Sequence, residues 1–204
     1  MDPHNDNRLY ENEAFQEFSE DILRPGGLAL TEEAVNLAAL PHNSKLLDLG
    51  CGLGNSVKFL INDYIIEGID SSPELVAKTK AKNPGLQVKL GNAYALPYPD
   101  REFTGILTEC VMSLLADKKA ALAEVKRVLK PEGQLLVSDV YIREAPKTFS
   151  GLPLVTCLNG MKTKTEILQE MAANGFKLRA WQDKTDMFKG FLAGLIMNYG
   201  SMAL

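Results

Sequence analysis

The residues best suited to chemistry stand in one stretch: Asp48, then Gly50-x-Gly52-x-Gly54, then Asp70. The apolar run Lys45 to Leu49 leads into the glycines, and a helix-like segment, Asn55 to Ile61, follows them. A helix N-terminus after a parallel strand offers backbone N–H groups and a positive dipole end, and glycines let a ligand approach the backbone closely. The dinucleotide fingerprint G-x-G-x-x-G wants a glycine where Asn55 stands, and no G-x-x-x-x-G-K-[ST] pattern is present. Asp70 falls about 20 residues beyond Gly50, at the end of a second expected strand, where a carboxylate can accept both hydroxyls of a ribose. NAD and S-adenosylmethionine (SAM) both meet that geometry. SAM has no pyrophosphate but carries a carboxylate, an ammonium and a sulfonium, so its site wants N–H donors together with an acid near the amine, which Asp48 can supply. Read as purely structural residues, Asp48 and Asp70 are helix-capping acids.

The elements that must position these residues follow from periodicity. Short β-branched or leucine-rich runs alternate with longer helical patterns, which favours a parallel sheet. Strands are expected at 45–49, 64–69, 86–90, 103–109, 134–140 and 176–181. A first helix, 11–23, places Phe15, Phe18 and Ile22 on one face before Arg24-Pro25-Gly26-Gly27 breaks it. Thr31 reads as the N-cap of a second helix ending near Pro41, and Ser72 as the N-cap of one running to Lys82. Further helices are expected at 118–129, closed by Lys130-Pro131-Glu132-Gly133, and at 164–174, stopped by Gly175. The tail, 187–199, repeats Phe188, Phe191, Leu192, Leu195, Ile196 and Tyr199 at helical spacing. Such a face should dock on the domain or on another subunit, so a homodimer through this apolar C-terminal segment is an expectation.

The chain has 204 residues, 24% of them charged, enough for one compact domain over 1–204. A net charge of -4 without a dense Lys/Arg run disfavours nucleic acid and anionic membrane as partners and leaves a small molecule. Cys51, Cys110 and Cys157 are odd in number, widely spaced and without a CxxC pair. They read as thiols in a reducing cytoplasm, with no metal site expected. The polar N-terminus lacks the features of a signal peptide, and no apolar run is long enough to span a bilayer.

Four segments carry a resemblance. LLDLGCGLGNS resembles the first motif of the class I SAM-dependent methyltransferases, EGID the second, GNAYALPYPDREF a segment that usually reads G-D-A-x-x-L-P-F, and LKPEGQLLVSD the motif after their fourth strand. Together they cover roughly residues 30 to 180 in the family's order and spacing. The resemblance implies a three-layer α/β, Rossmann-like doubly wound fold: a mostly parallel sheet with helices on both faces and an N-terminal helical cap. It implies seven strands, the last antiparallel. Residues 1–41 would form the cap, 42–145 the SAM-binding core, and 146–204 an acceptor-side insertion with C-terminal elements. SAM would be the cofactor and S-adenosylhomocysteine the product. By the same resemblance Gly50, Cys51, Gly52 and Gly54 line the methionine side with Asp48 near the amine. Asp70 binds the ribose, and Ile69 and Ser71 flank the adenosine. Asn92 accepts a bond from the adenine amino group through its carbonyl, Ala93 offers its N–H to the ring, and Glu109 sits near the methyl donor.

The acceptor side carries less signal. Methyl transfer from a sulfonium is an in-line displacement with a good leaving group, so a protein mainly positions and desolvates the acceptor, and no dedicated base is required. The candidates are Glu109, Cys110, Cys157 and Tyr10, with Asp139, Tyr141 and Arg24 nearby in the expected fold; Arg24 can pair with the SAM carboxylate or with a cap acid. LTECVMSLL and VSDVY followed by TCLNG further resemble the arsenite methyltransferases, which implies that Cys110 and Cys157 face one pocket for a metalloid or thiol acceptor. Met112 departs from that pattern where a ligand cysteine is expected, and buried apolar packing is the commonest role of a free Cys. A non-catalytic SAM-binding accessory module and an NAD-dependent oxidoreductase are the other readings.

Overall fold

The computed structural model describes residues 9–11, 16, 24–144 and 156–199. Five strands, β1 (Lys45–Leu49), β2 (Ile65–Asp70), β3 (Val88–Leu90), β4 (Phe103–Glu109) and β5 (Leu129–Ser138), form one sheet in the order β3-β2-β1-β4-β5. Every pairing in it is parallel. Among the described residues it is accompanied by the α-helices α1 (Gly27–Ala38), α2 (Asn55–Leu60), α3 (Pro73–Lys82), α4 (Lys118–Val128), α5 (Lys164–Ala173) and α6 (Thr185–Tyr199).

A parallel sheet is covered on both faces, so its strands are apolar nearly throughout rather than alternating with polar residues. Leu46 and Leu47 both have no exposed surface yet belong to opposite layers. One layer joins Leu47, Ile69, Phe103 and Ile106 to Ala121, Val125 and Val128 of α4. The other joins Leu46, Ile66 and Leu107 to Val35 of α1, Val57 and Leu60 of α2, and Val76 of α3. This is the three-layer α/β arrangement.

Local chemistry explains most element ends. Ser72 caps α3 by accepting from the Leu75 amide at 3.3 Å, with Pro73 in the first turn. Thr163 and Glu166 form a reciprocal capping box at the start of α5. Gly175, at φ 79°, takes the left-handed conformation beyond the end of α5.

Several expectations are corrected. Thr31 is not an N-cap: α1 begins at Gly27, with Gly26 left-handed before it, and Thr31 is fully buried within the helix. The turn expected at 130–133 lies inside β5, with Glu132 at φ 62° and a register irregularity opposite Phe103/Gly105. No strand forms at 176–181, where Leu178 is exposed and Trp181 instead meets Tyr141 edge-on and carries Lys164 over its ring. A strand exists only by pairing, and that segment is bonded to no sheet edge. The described residues therefore hold five parallel strands rather than seven with an antiparallel edge. In the expected first helix, Leu9–Glu11 is a 3-10 turn and Gln16 is helical, whereas Phe15, Phe18 and Ile22 lie outside the described residues. The start of α6 docks on α1 through Lys184 and Glu33, 2.5 Å apart, while the side chains of Leu195, Ile196 and Tyr199 lie outside the described residues. Among the described residues no helix is long and apolar enough to cross a membrane.

Candidate functional site

Strand order reverses between β1 and β4, since the chain builds outward from β1 to β3 on one side and then returns to β4 on the other. Ligands in open α/β sheets bind beyond the carboxyl ends of the strands at such a point. Here those ends are Gly50 after β1, Asp70 at the end of β2 and Glu109 at the end of β4, and all three line a cavity of about 420 Å³.

The glycine turn is shaped by its neighbours. Gly50, at φ 80°, would drive a Cβ to 2.3 Å from Val111 Cγ2, and Gly54, at φ 74°, to 2.7 Å from Thr79 Cγ2. Gly52, at φ 51°, would meet nothing within 4 Å. Packing thus excludes side chains at Gly50 and Gly54, whereas Gly52 faces open space. Gly54 is not among the residues that line the cavity.

Four of the turn's amides are bonded within the protein. Gly50 and Cys51 donate to the Ile69 carbonyl at 2.8 and 3.1 Å, Gly52 to Asp70 Oδ2 at 2.8 Å, and Gly54 to the Cys51 carbonyl at 2.8 Å. A pyrophosphate needs such N–H groups, and these four are spent. What the turn presents is a close backbone surface ringed by acids.

Asp48 is 2% exposed, and burial, then the negative charge of Glu109, pushes its carboxyl well above the usual carboxylate range. Arg24 opposes that shift and Asp70 adds to it. A carboxyl in this position gains from a cation placed beside it. Asp70 accepts from the Ser72 amide through Oδ1 at 2.8 Å as well as from Gly52, and each carboxylate oxygen has room for a further donor.

Glu109 is the hub of the inner wall. It pairs with Arg24 at 2.8 Å and accepts from Thr31 Oγ1 at 3.0 Å and Ser56 Oγ at 2.6 Å. Arg24 also donates to the Gly27 carbonyl at 2.8 Å, to Ser56 Oγ at 3.3 Å and to Thr31. Arg24 therefore meets a protein acid while still lining the cavity. The roles of Thr31 and Ser56 had no signal in the sequence, because each is defined by a partner more than fifty residues away.

Ser71, Asn92 and Ala93 line the cavity as expected residues, and Cys51 does so while its sulfur lies against Gly68. Ile69 does not line it. Its side chain has no exposed surface and only its carbonyl serves the turn. Asn92 differs from expectation too: its side-chain oxygen accepts from the Tyr94 and Ala95 amides at 2.9 and 3.1 Å, so the acceptor expected to meet an adenine amino group is holding the loop.

On the acceptor side, Tyr10, Cys110, Leu114 and Leu115 line the cavity. Cys157 does not line it but lies directly behind: the Cys110 thiol hydrogen-bonds the Cys157 sulfur, and the Cys157 amide donates to the Tyr10 hydroxyl at 3.4 Å. That thiol contact, with burial, raises Cys110 well above the ordinary thiol range, and the same contact lowers Cys157 against the opposing effect of burial. Burial holds the Tyr10 proton well above the usual phenol range. Asp139 and Tyr141 are not brought to the cavity. Asp139 accepts from the Ser113 amide and hydroxyl at 2.8 and 2.7 Å, and Tyr141 donates to Asp183 at 2.8 Å. Among the described residues no group of three or more His, Cys, Asp or Glu is placed to hold a metal ion.

Comparison with known proteins bears on this geometry. Residues 47–137 match a family model described as a methyltransferase domain. Phosphoethanolamine N-methyltransferase 3 of Arabidopsis thaliana is 28% identical over 184 residues, covering 84% of this chain and 36% of that protein. An arsenite methyltransferase of Halobacterium salinarum is 28% identical over 154 residues, 69% of this chain and 39% of that one. The crystal structure of the cyclase SpnF superposes with a TM-score of 0.71 at 27% identity, covering 86% of this chain and 67% of that one. The chain spans about half the length, or less, of the curated relatives it matches.

Proposed function

We propose that the chain carries a class I SAM-dependent methyltransferase domain and transfers the sulfonium methyl group of SAM to a small-molecule acceptor; the match of residues 47–137 to a methyltransferase domain supports this reading. The observation that carries this reading is the ring of acids, Asp48, Asp70 and Glu109, on the cavity beside the glycine turn. A site that places the buried Asp48 carboxyl, whose pKa burial raises, beside Asp70 and Glu109 gains from a bound cation and so suits an ammonium and a sulfonium better than a pyrophosphate. Asp48 would face the amine, Asp70 the ribose hydroxyls, and Ser71 and the Ala93 amide the adenosine. Gly52 would leave room for the ligand.

SAM supplies an electrophilic methyl group and a good leaving group when bound. The chain's own residues then have to align the acceptor and keep water out. Tyr10, Leu114 and Leu115 wall the acceptor side. None of the candidate bases that line the cavity is poised to take a proton. Glu109 already receives three donors, the Cys110 thiol is held by Cys157, and the Tyr10 hydroxyl is engaged there too. The site therefore suits an acceptor that is nucleophilic in its neutral form. Incubation with SAM and a panel of neutral amines, thiols and phenols, scored by S-adenosylhomocysteine release, tests this; tight product binding without turnover of any acceptor would favour a non-catalytic module instead.

A second reading, a metalloid or thiol acceptor, is favoured by the Cys110 and Cys157 contact and by similarity to a protein named as an arsenite methyltransferase. Two thiols supply a partial soft site. In the proposed organisation 1–204 act as one domain, with 1–41 as cap, 42–145 as cofactor core and 146–204 on the acceptor side. Three free thiols support a cytoplasmic setting, and the apolar α6 supports a homodimer, which a monomeric mass in solution would remove.

A further inference from the structure

We propose that Tyr94 holds the base end of the adenosyl ligand, and that its hydroxyl latches two walls of the cavity together so that the ligand exchanges when this bond opens. Tyr94 lines the cavity and is 41% exposed, which puts an aromatic ring at its rim. Its hydroxyl accepts from the Ala116 amide at 3.1 Å. The bond joins two segments that both line the cavity: Asn92 and Ala93 beyond β3, and Val111, Leu114 and Leu115 beyond β4.

Each segment is anchored on its own side of that bond. Beyond β3, the Leu96 amide donates to Glu124 of α4 at 2.8 Å, and the Leu96 carbonyl accepts from Arg127 at 3.0 Å. Beyond β4, Ser113 is tied to Asp139 through its amide and hydroxyl, and Lys118 donates to the Leu115 carbonyl at 3.1 Å. Asp117 caps α4 by accepting from the Ala120 amide at 2.9 Å. Ala116 lies between these anchors, and its amide turns to Tyr94. A bond at the solvent-exposed rim is worth little net, because water replaces either partner as it opens. The rim can therefore part while the anchors on either side stay in place.

Asn92 decides how a base is held here. Its side-chain oxygen accepts from the Tyr94 and Ala95 amides, so it fixes the backbone from which Tyr94 projects rather than reading the edge of a ring. What the loop offers instead is the face of an aromatic side chain. Bases stack on such faces, and a ring with nearly half its surface in water gains from being covered. The role toward the base rests on the reading of the cavity as an adenosyl site; the latch between Tyr94 and Ala116 does not.

The test uses the full chain, with S-adenosylhomocysteine as the probe. In NMR spectra the Tyr94 ring protons should move upfield on saturation, the ring-current mark of a base against the ring, which a merely structural tyrosine would not show. Tyr94→Phe keeps the ring and removes the bond. Exchange of the Ala116 amide should then accelerate in the ligand-free protein, and the probe should dissociate roughly 2- to 10-fold faster, the scale of one net hydrogen bond. Tyr94→Ala should weaken the probe roughly 5- to 150-fold, the scale of one base–aromatic stack, with Tyr94→Phe recovering most of that loss. Ring protons that stay in place, a Tyr94→Phe variant with unaltered Ala116 exchange and probe release, or equal losses in the Phe and Ala variants would each overturn the proposal. If the unaltered chain took up no probe while Ala116 exchange still accelerated in Tyr94→Phe, the adenosyl reading would fall and the latch would stand.

Discussion

The amide of Gly52 donates to Oδ2 of Asp70 across 2.8 Å, tying the turn after β1 to the end of β2. One carboxylate thus shapes the glycine turn and faces the cavity that the turn lines. Asp70→Ala removes both roles. SAM affinity should weaken by about 1–3 kcal/mol, the scale of losing charge-assisted hydrogen bonds, in titration calorimetry. Unchanged affinity would refute the ribose assignment.

The same turn separates two kinds of glycine. Gly50→Ala forces a Cβ against Val111 and should lower the melting temperature or prevent folding. Gly52→Ala meets no atom and should cost only the left-handed backbone penalty, about 1–2 kcal/mol. It should nonetheless weaken SAM binding, because its side chain enters space meant for the ligand. Thermal scans with and without SAM distinguish the two, and equal destabilisation by both variants would contradict this division.

Legibility in the sequence followed the range of the interactions. The run from β1 through the glycines to Asp70, and the Ser72 cap, depend on neighbours within a few residues and were readable. Thr31 was not, since local chemistry favours a cap and only Glu109, 78 residues on, explains its burial in α1. Segment 176–181 carried a strand's composition but no partner edge, a fact that only topology supplies. The bonds made by the glycine turn's amides were not readable, because their partners, the Ile69 carbonyl and the Asp70 carboxylate, lie one strand over.

Removing half of the Arg24 and Glu109 pair should be costly. The two side chains are 12% and 7% exposed, and breaking a buried ion pair from one side typically costs about 3–5 kcal/mol. Glu109→Ala should therefore lower the melting temperature by roughly 6–20 °C for a chain of this size. The double variant Arg24→Met with Glu109→Leu should recover part of the loss. A double-mutant cycle showing no coupling would contradict the hub role.

Asp48 gives a pH prediction. Its folded pKa is raised, so its neutral form is favoured in the free protein and its burial opposes stability above the ordinary carboxylate pKa; that penalty is relieved as pH falls through the raised value. A cation bound beside it favours the ionised form. Binding of SAM should release protons, and affinity should rise with pH until it passes the raised pKa. Calorimetry in buffers of different ionisation enthalpy reads this release, and Asp48→Asn should reduce it. Proton uptake on binding, or release unaltered in the variant, would argue against Asp48 as the amine's partner.

The central claim is that a glycine turn ringed by acids binds an adenosyl sulfonium in preference to a dinucleotide. Titrating the purified chain in parallel with SAM, S-adenosylhomocysteine and NAD tests it directly. The account predicts saturable binding of SAM and its demethylated product, with NAD far weaker. Binding of NAD in preference to both, or no uptake of either adenosyl ligand at millimolar concentration, would contradict it.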